Sequence, residues 1–128
     1  MMEQPRLHDG FLEGIIVRED KSATLTLRDV TGVQYELELG SVEHLCANDF
    51  RKGNIILDLT VERGKDCDVS LLRTLFGNKH FESHPGFLVA LLQRIEAEDL
   101  ALVSIDPSYG CSFLALCRTI NWRVVKSA

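Results

Sequence analysis

Ala23-Thr24-Leu25-Thr26-Leu27-Arg28 and Val33-Gln34-Tyr35-Glu36-Leu37-Glu38-Leu39 alternate apolar and polar residues without a break. The pattern returns, with Ile56 as its one exception, in Ile55-Ile56-Leu57-Asp58-Leu59-Thr60-Val61-Glu62. Successive side chains on a strand point to opposite faces, so a period of two means one dry face and one wet face. That is the signature of antiparallel strands, since parallel strands buried on both faces read as unbroken apolar runs. The predicted dry face holds Leu25, Leu27, Tyr35, Leu37, Leu57 and Leu59, and Thr26, Glu36, Glu38 and Asp58 are predicted to face water.

Upstream, Phe11 to Arg18 reads as a first strand with Phe11, Ile15 and Val17 on one face, and Gly14 marks a bulge or bend. Glu19-Asp20-Lys21-Ser22 and Asp29-Val30-Thr31-Gly32 are turns, so residues 11–39 form a three-strand meander. Residues 1–10 read as a polar tail. Downstream, Ser41 is placed to cap a short helical turn carrying Val42, Leu45 and Cys46, ahead of a fourth strand at 55–62. Residues 11–63 are thus expected to form a small barrel-like antiparallel sheet.

At Arg63-Gly64-Lys65-Asp66-Cys67 the period changes. Asp68 is a plausible N-cap for a helix over 68–76, whose stripe is Leu71, Leu72, Leu75 and Phe76 and which Gly77 can close. Asn78 to Ser83 reads as polar linker, and Pro85 opens a second helix over 85–98 with Phe87, Leu88, Leu91, Leu92 and Ile95. Leu100 to Ile105, the turn Asp106-Pro107-Ser108-Tyr109-Gly110 and the β-favouring residues after it predict a C-terminal β-hairpin. The fold expected is α+β: a barrel-like meander, two helices and a β-hairpin, in one domain over 1–128.

Composition narrows the function classes. Residues 1–66 carry eight Lys or Arg against thirteen Asp or Glu, and residues 67–128 carry six of each, so the whole net charge of −5 sits on the strand-rich half. Phosphate binding draws on Lys and Arg, so nucleic acid is not an expected partner. No apolar run approaches bilayer length and no signal-peptide pattern opens the sequence, so the expected location is cytosolic and away from membranes. The cysteines Cys46, Cys67, Cys111 and Cys117 are scattered, without a Cys-x-x-Cys pair, and read as free thiols.

Motifs for chemistry are sparse. His80-Phe81-Glu82-Ser83-His84 puts two histidines at i and i+4, so His80 and His84 with Cys67 (or Asp66) are the candidate metal ligands. The segment lacks the His-Glu-x-x-His order, and loop histidines are the plainer reading. Nucleophile elbows and glycine-rich phosphate loops are absent, so neither catalytic residues nor cofactors are assigned.

The favoured function is a non-enzymatic protein-binding or assembly module working as a homodimer. If 111–125 is strand, it is apolar on both faces, with Phe113 opposed to Leu114, Leu116, Ile120, Trp122 and Val124. A strand of that kind needs cover on both sides, from the two helices or from a second copy, and these six residues are the predicted contact set. Two alternatives stay open: a small metal- or thiol-dependent enzyme using His80, His84 and a cysteine, and a small-barrel nucleic-acid-binding protein.

Overall fold

A computed structural model describes residues 2–127. Eight strands, β1 (Phe11–Val17), β2 (Ala23–Arg28), β3 (Gln34–Gly40), β4 (His44–Asn48), β5 (Asn54–Arg63), β6 (Ala101–Tyr109), β7 (Ser112–Cys117) and β8 (Thr119–Lys126), form one antiparallel sheet in the order β4-β7-β6-β5-β1-β2-β3-β8. Three helices, α1 (Val69–Phe76), α2 (Asn78–Ser83) and α3 (Phe87–Glu98), lie between β5 and β6 in the chain.

The meander forms as its alternation predicts. Leu25 faces Leu37, and Leu27 faces Tyr35, across the β2–β3 ladder. Asp29 makes the turn between them, its Oδ1 accepting from the Thr31 and Val33 amides at 2.9 and 3.0 Å. The Thr31 hydroxyl donates to the same carboxylate and is the main cause of its lowered pKa. Thr24 departs from the expected wet face: it is buried, taking a bond from Arg18 at 2.7 Å and donating to Glu38 at 3.1 Å.

The sheet does not close into a barrel, within 11–63 or beyond. Strand β1 meets β5 through only Phe11↔Ile55 and Leu12↔Asn54, and no ladder joins the terminal strands β4 and β8. The sheet curls instead, with one continuous core of side chains from β1, β2, β3, β5, β6 and β7 on its concave side. A second core lies between the helices and the other face of β6 and β7, at Leu102, Leu114 and Leu116.

Four local expectations are corrected. Residues 44–48 are strand: Cys46 pairs with Leu114, and Ser41 has φ +50°. A full ladder against β7 outweighs a one-turn helical pattern that has little to bury. The predicted linker 78–83 is helix α2, held by burying Phe81 among the helices. Residues 2–10 are not a loose tail, since Leu7 enters the main core and the Asp9 amide donates to the Ile56 carbonyl at 2.8 Å. The C-terminal hairpin forms from β6 and β7 at Gly110, but 111–125 is not a single strand: it breaks after Cys117, and β8 leaves to pair with β3.

The fifth correction is in β5. Register shifts flank Ile56, whose partner is Pro107, and Leu57 is the extra residue before Asp58↔Asp106. An extra residue flips the following side chains to the other face. Ile56 is 1% exposed and Leu57 43%, the reverse of the expectation. Ile56→Ala is therefore expected to cost about 2–5 kcal/mol and Leu57→Ala less than about 1 kcal/mol, measured by denaturant unfolding. The opposite ranking would place the bulge elsewhere.

Candidate functional site

The predicted metal ligands occupy two different settings. His80 lies on α2 and His84 just beyond it; their rings stack with centroids 4.5 Å apart, and His84 Nδ1 is 3.0 Å from the His80 carbonyl. His80 also meets Phe87 edge-on at 4.4 Å, and His44, a residue the sequence reading did not connect with them, stacks on Phe76 at 4.5 Å. These imidazoles serve as flat rings in an aromatic cluster. The Cys67 thiol points to the Glu62 and Leu100 carbonyls, at 3.4 and 4.0 Å, and burial pushes its pKa up to about 11. Among the described residues, no three His, Cys, Asp or Glu side chains are grouped so as to hold a metal ion. The Cys117 thiol is likewise raised to about 11 by burial. Both thiols are therefore protonated, and poor nucleophiles, at neutral pH.

A cleft of about 390 Å³ runs between α1 and the strands β4, β7, β6 and β5. Asp58 and Asp106 face each other across the β5–β6 ladder on its rim, with Thr60 and Ser104 as the next pair. Like charges directly opposite each other are destabilising. The sequence reading missed this pair because Asp106 was assigned to a turn. Among the described residues no histidine, lysine or arginine lines this cleft, whereas Arg6 and His8 line a second groove that shares Asp58.

The six predicted contact residues divide. Phe113 is buried in the main core, and Leu114 and Leu116 are buried against the helices. The chain thus covers both faces of β7 itself, which removes those three from any surface. On β8, opposite Leu39, Leu37 and Tyr35 of β3, Ile120 and Trp122 are half-buried against the main core and only Val124 is exposed. Val124 is 46% and Val125 51% exposed.

Strand β8 is also the least protected edge. The other terminal strand, β4, is five residues long and has α1 beside it. Beyond β1, the β5 edge is occupied by the N-terminal segment: besides the Asp9 amide, Gln4 Nε2 donates to the Leu59 carbonyl at 2.8 Å and His8 Nδ1 lies 2.7 Å from the Leu57 carbonyl. Seven of the eight residues of β8 pair with β3, Val125 being bulged out of the ladder, and among the described residues the other row of N–H and C=O groups has no strand partner. Edges of this length are normally blunted by proline, charge, bulges or covering elements; β8 carries a bulge at Val125 and Lys126 at its end, while Thr119 to Val124 form an uninterrupted edge. Arg123, the charge in mid-strand, is already paired with Glu36 of β3. Comparison with protein-family models, curated proteins and solved structures finds no match for this chain.

Proposed function

We propose that this chain is a non-enzymatic binding and assembly module that works as a two-fold dimer, through antiparallel addition of β8 to β8 of a second copy. The observation that carries the reading is the uncovered β8 edge with the exposed Val124 and Val125 on it, beside Ile120 and Trp122, which pack partly into the main core. Pairing two such edges satisfies the open backbone groups and brings the exposed valines of both copies together, a self-complementary contact of the kind two-fold symmetry requires. The Arg123–Glu36 pair lowers the repulsion between the two Arg123 side chains that the axis would bring near each other.

The expected result is a dimeric mass by light scattering on size exclusion at micromolar concentration. Val124→Asp sets two carboxylates into the contact and is expected to weaken the dimer at least about tenfold. The side chain is half exposed in the single chain, so this variant is expected to keep its fold. A monomeric mass for the wild type, with Trp122 fluorescence unchanged on dilution, rejects the dimer. A dimer indifferent to Val124→Asp places the contact elsewhere.

A further inference from the structure

The loop between β4 and β5 gathers residues that are far apart in the chain. Phe50, Arg51 and Lys52 from this loop, Phe11 and Glu13 from β1 and Arg28 from the end of β2 line one groove of about 590 Å³. Phe50 is 50% exposed, an aromatic ring held in water. The Arg28 guanidinium lies over the Phe11 ring, 4.6 Å from its centroid, and its Nε donates to Glu13 at 3.3 Å. Arg51 Nε donates to Asp49 at 2.8 Å, and Lys52 has no carboxylate within ion-pair distance among the described residues. The loop is clamped as well: the buried Asn54 carboxamide takes the Arg51 amide at 2.7 Å. The backbone that carries these side chains is thus fixed at Arg51 before binding.

An exposed ring, a guanidinium lying over a second ring, and an ammonium without a carboxylate partner among the described residues together match one ligand chemistry, a planar base joined to a phosphate. A duplex hides its base faces, and a simple polyanion has none to stack. We propose that this groove binds a nucleotide unit of single-stranded nucleic acid, with the base on Phe50, the phosphate on Lys52 and Arg51, and Arg28 as a second stacking plane. The overall charge of −5 works against long-range attraction, so recognition here is local and stacking-led. Sequence reading did not find the groove because Arg28 and Phe11 lie more than twenty residues from Phe50-Arg51-Lys52, and only the sheet brings them together.

Fluorescence anisotropy of a short labelled oligothymidylate at low salt tests this. Saturable binding is expected, weakened at least about fivefold by Phe50→Ala, the loss of one stacked base. Lys52→Glu is expected to weaken it further. With three cations at most, the log–log salt slope should be no steeper than about −2. Titration of adenosine monophosphate as competitor separates the two sources of the ligand: displacement at concentrations comparable to the strand's own Kd identifies a free nucleotide, displacement only at far higher concentration identifies a strand, and none at any concentration overturns the proposal. Both substitutions are on exposed side chains, and unchanged circular dichroism confirms that the variants are folded. No binding of the oligothymidylate, or binding that Phe50→Ala leaves intact, overturns the proposal, as does equal binding of heparin with a steep salt slope. None of these variants touches β8, so the result stands apart from the dimer.

Discussion

Leu37→Asp is expected to abolish the cooperative unfolding transition at room temperature, or to leave the protein barely folded. Leu37 is fully buried in the middle of β3, with Leu25 opposite on β2 and Trp122 opposite on β8. Removing a buried leucine side chain alone costs about 2–5 kcal/mol. A carboxylate in its place has no cation in that part of the core, and stranding it there costs several kcal/mol more or forces it to take up a proton. The sum approaches the whole stability of an ordinary domain, about 5–15 kcal/mol. One residue on, Glu38 is exposed, its one hydrogen bond coming from the Thr24 hydroxyl. Glu38→Ala is therefore expected to cost no more than about 1 kcal/mol. Denaturant unfolding of the two variants side by side checks the register of the meander, because a slip of one residue exchanges the faces. Equal losses would sink it.

Asn54→Ala is expected to lower Tm by about 10 °C, a loss near 3 kcal/mol for a chain of this size. Asn54 is one of two polar residues buried in the structure, and it joins three segments. Its Oδ1 accepts from the Arg51 amide at 2.7 Å and from the Cys111 amide at 3.0 Å, and its Nδ2 donates to the Leu12 carbonyl at 3.1 Å. Truncation leaves two amides and a carbonyl without partners, and each buried group left unpaired costs about 1–3 kcal/mol. Asn54→Asp keeps the acceptors but sets a carboxylate oxygen against the Leu12 carbonyl, so it should recover only part of the loss. The clamp also explains Gly110, which has φ +84° and where an added Cβ would overlap the Asn54 side chain. Thermal unfolding of Asn54→Ala within a degree or two of the wild type would mean that water replaces all three bonds. The substitution also frees the Phe50 loop, so loss of oligothymidylate binding in this variant alone would say nothing about which loop side chains bind.

How much of this was legible without coordinates can be judged element by element. Helix α1 and its Asp68 cap were legible because the whole signal is local: the cap accepts from Ser70 and Leu71, two and three residues ahead. β2 and β3 were legible because unbroken alternation allows one register against water. β4 was misread because five residues carry too little pattern to separate one helical turn from a strand whose partner, β7, lies about seventy residues away. The reading of β7 as a contact surface was sound about the need for cover but not about what supplies it. Leu114 and Leu116 are covered by helices of the same chain.

The candidate sites were less legible than the fold. His80 and His84 stand out in the sequence by spacing, yet their surroundings are aromatic rings rather than further ligands. The groove at Phe11, Arg28, Phe50 and Lys52 had no signal at all, because its parts come from three separate stretches. The sequence by itself determined the antiparallel character of the sheet, the place where strands give way to helices, and the paucity of catalytic motifs. Each of these follows from residues within one or two turns of one another. Tertiary structure alone decided the bulge that turns Ile56 inward and Leu57 outward, the departure of β8 to the far edge beside β3, and the gathering of the groove. Those features depend on which distant strands pair, and pairing is settled by the total burial and hydrogen bonding of the whole curled sheet, which no local window contains.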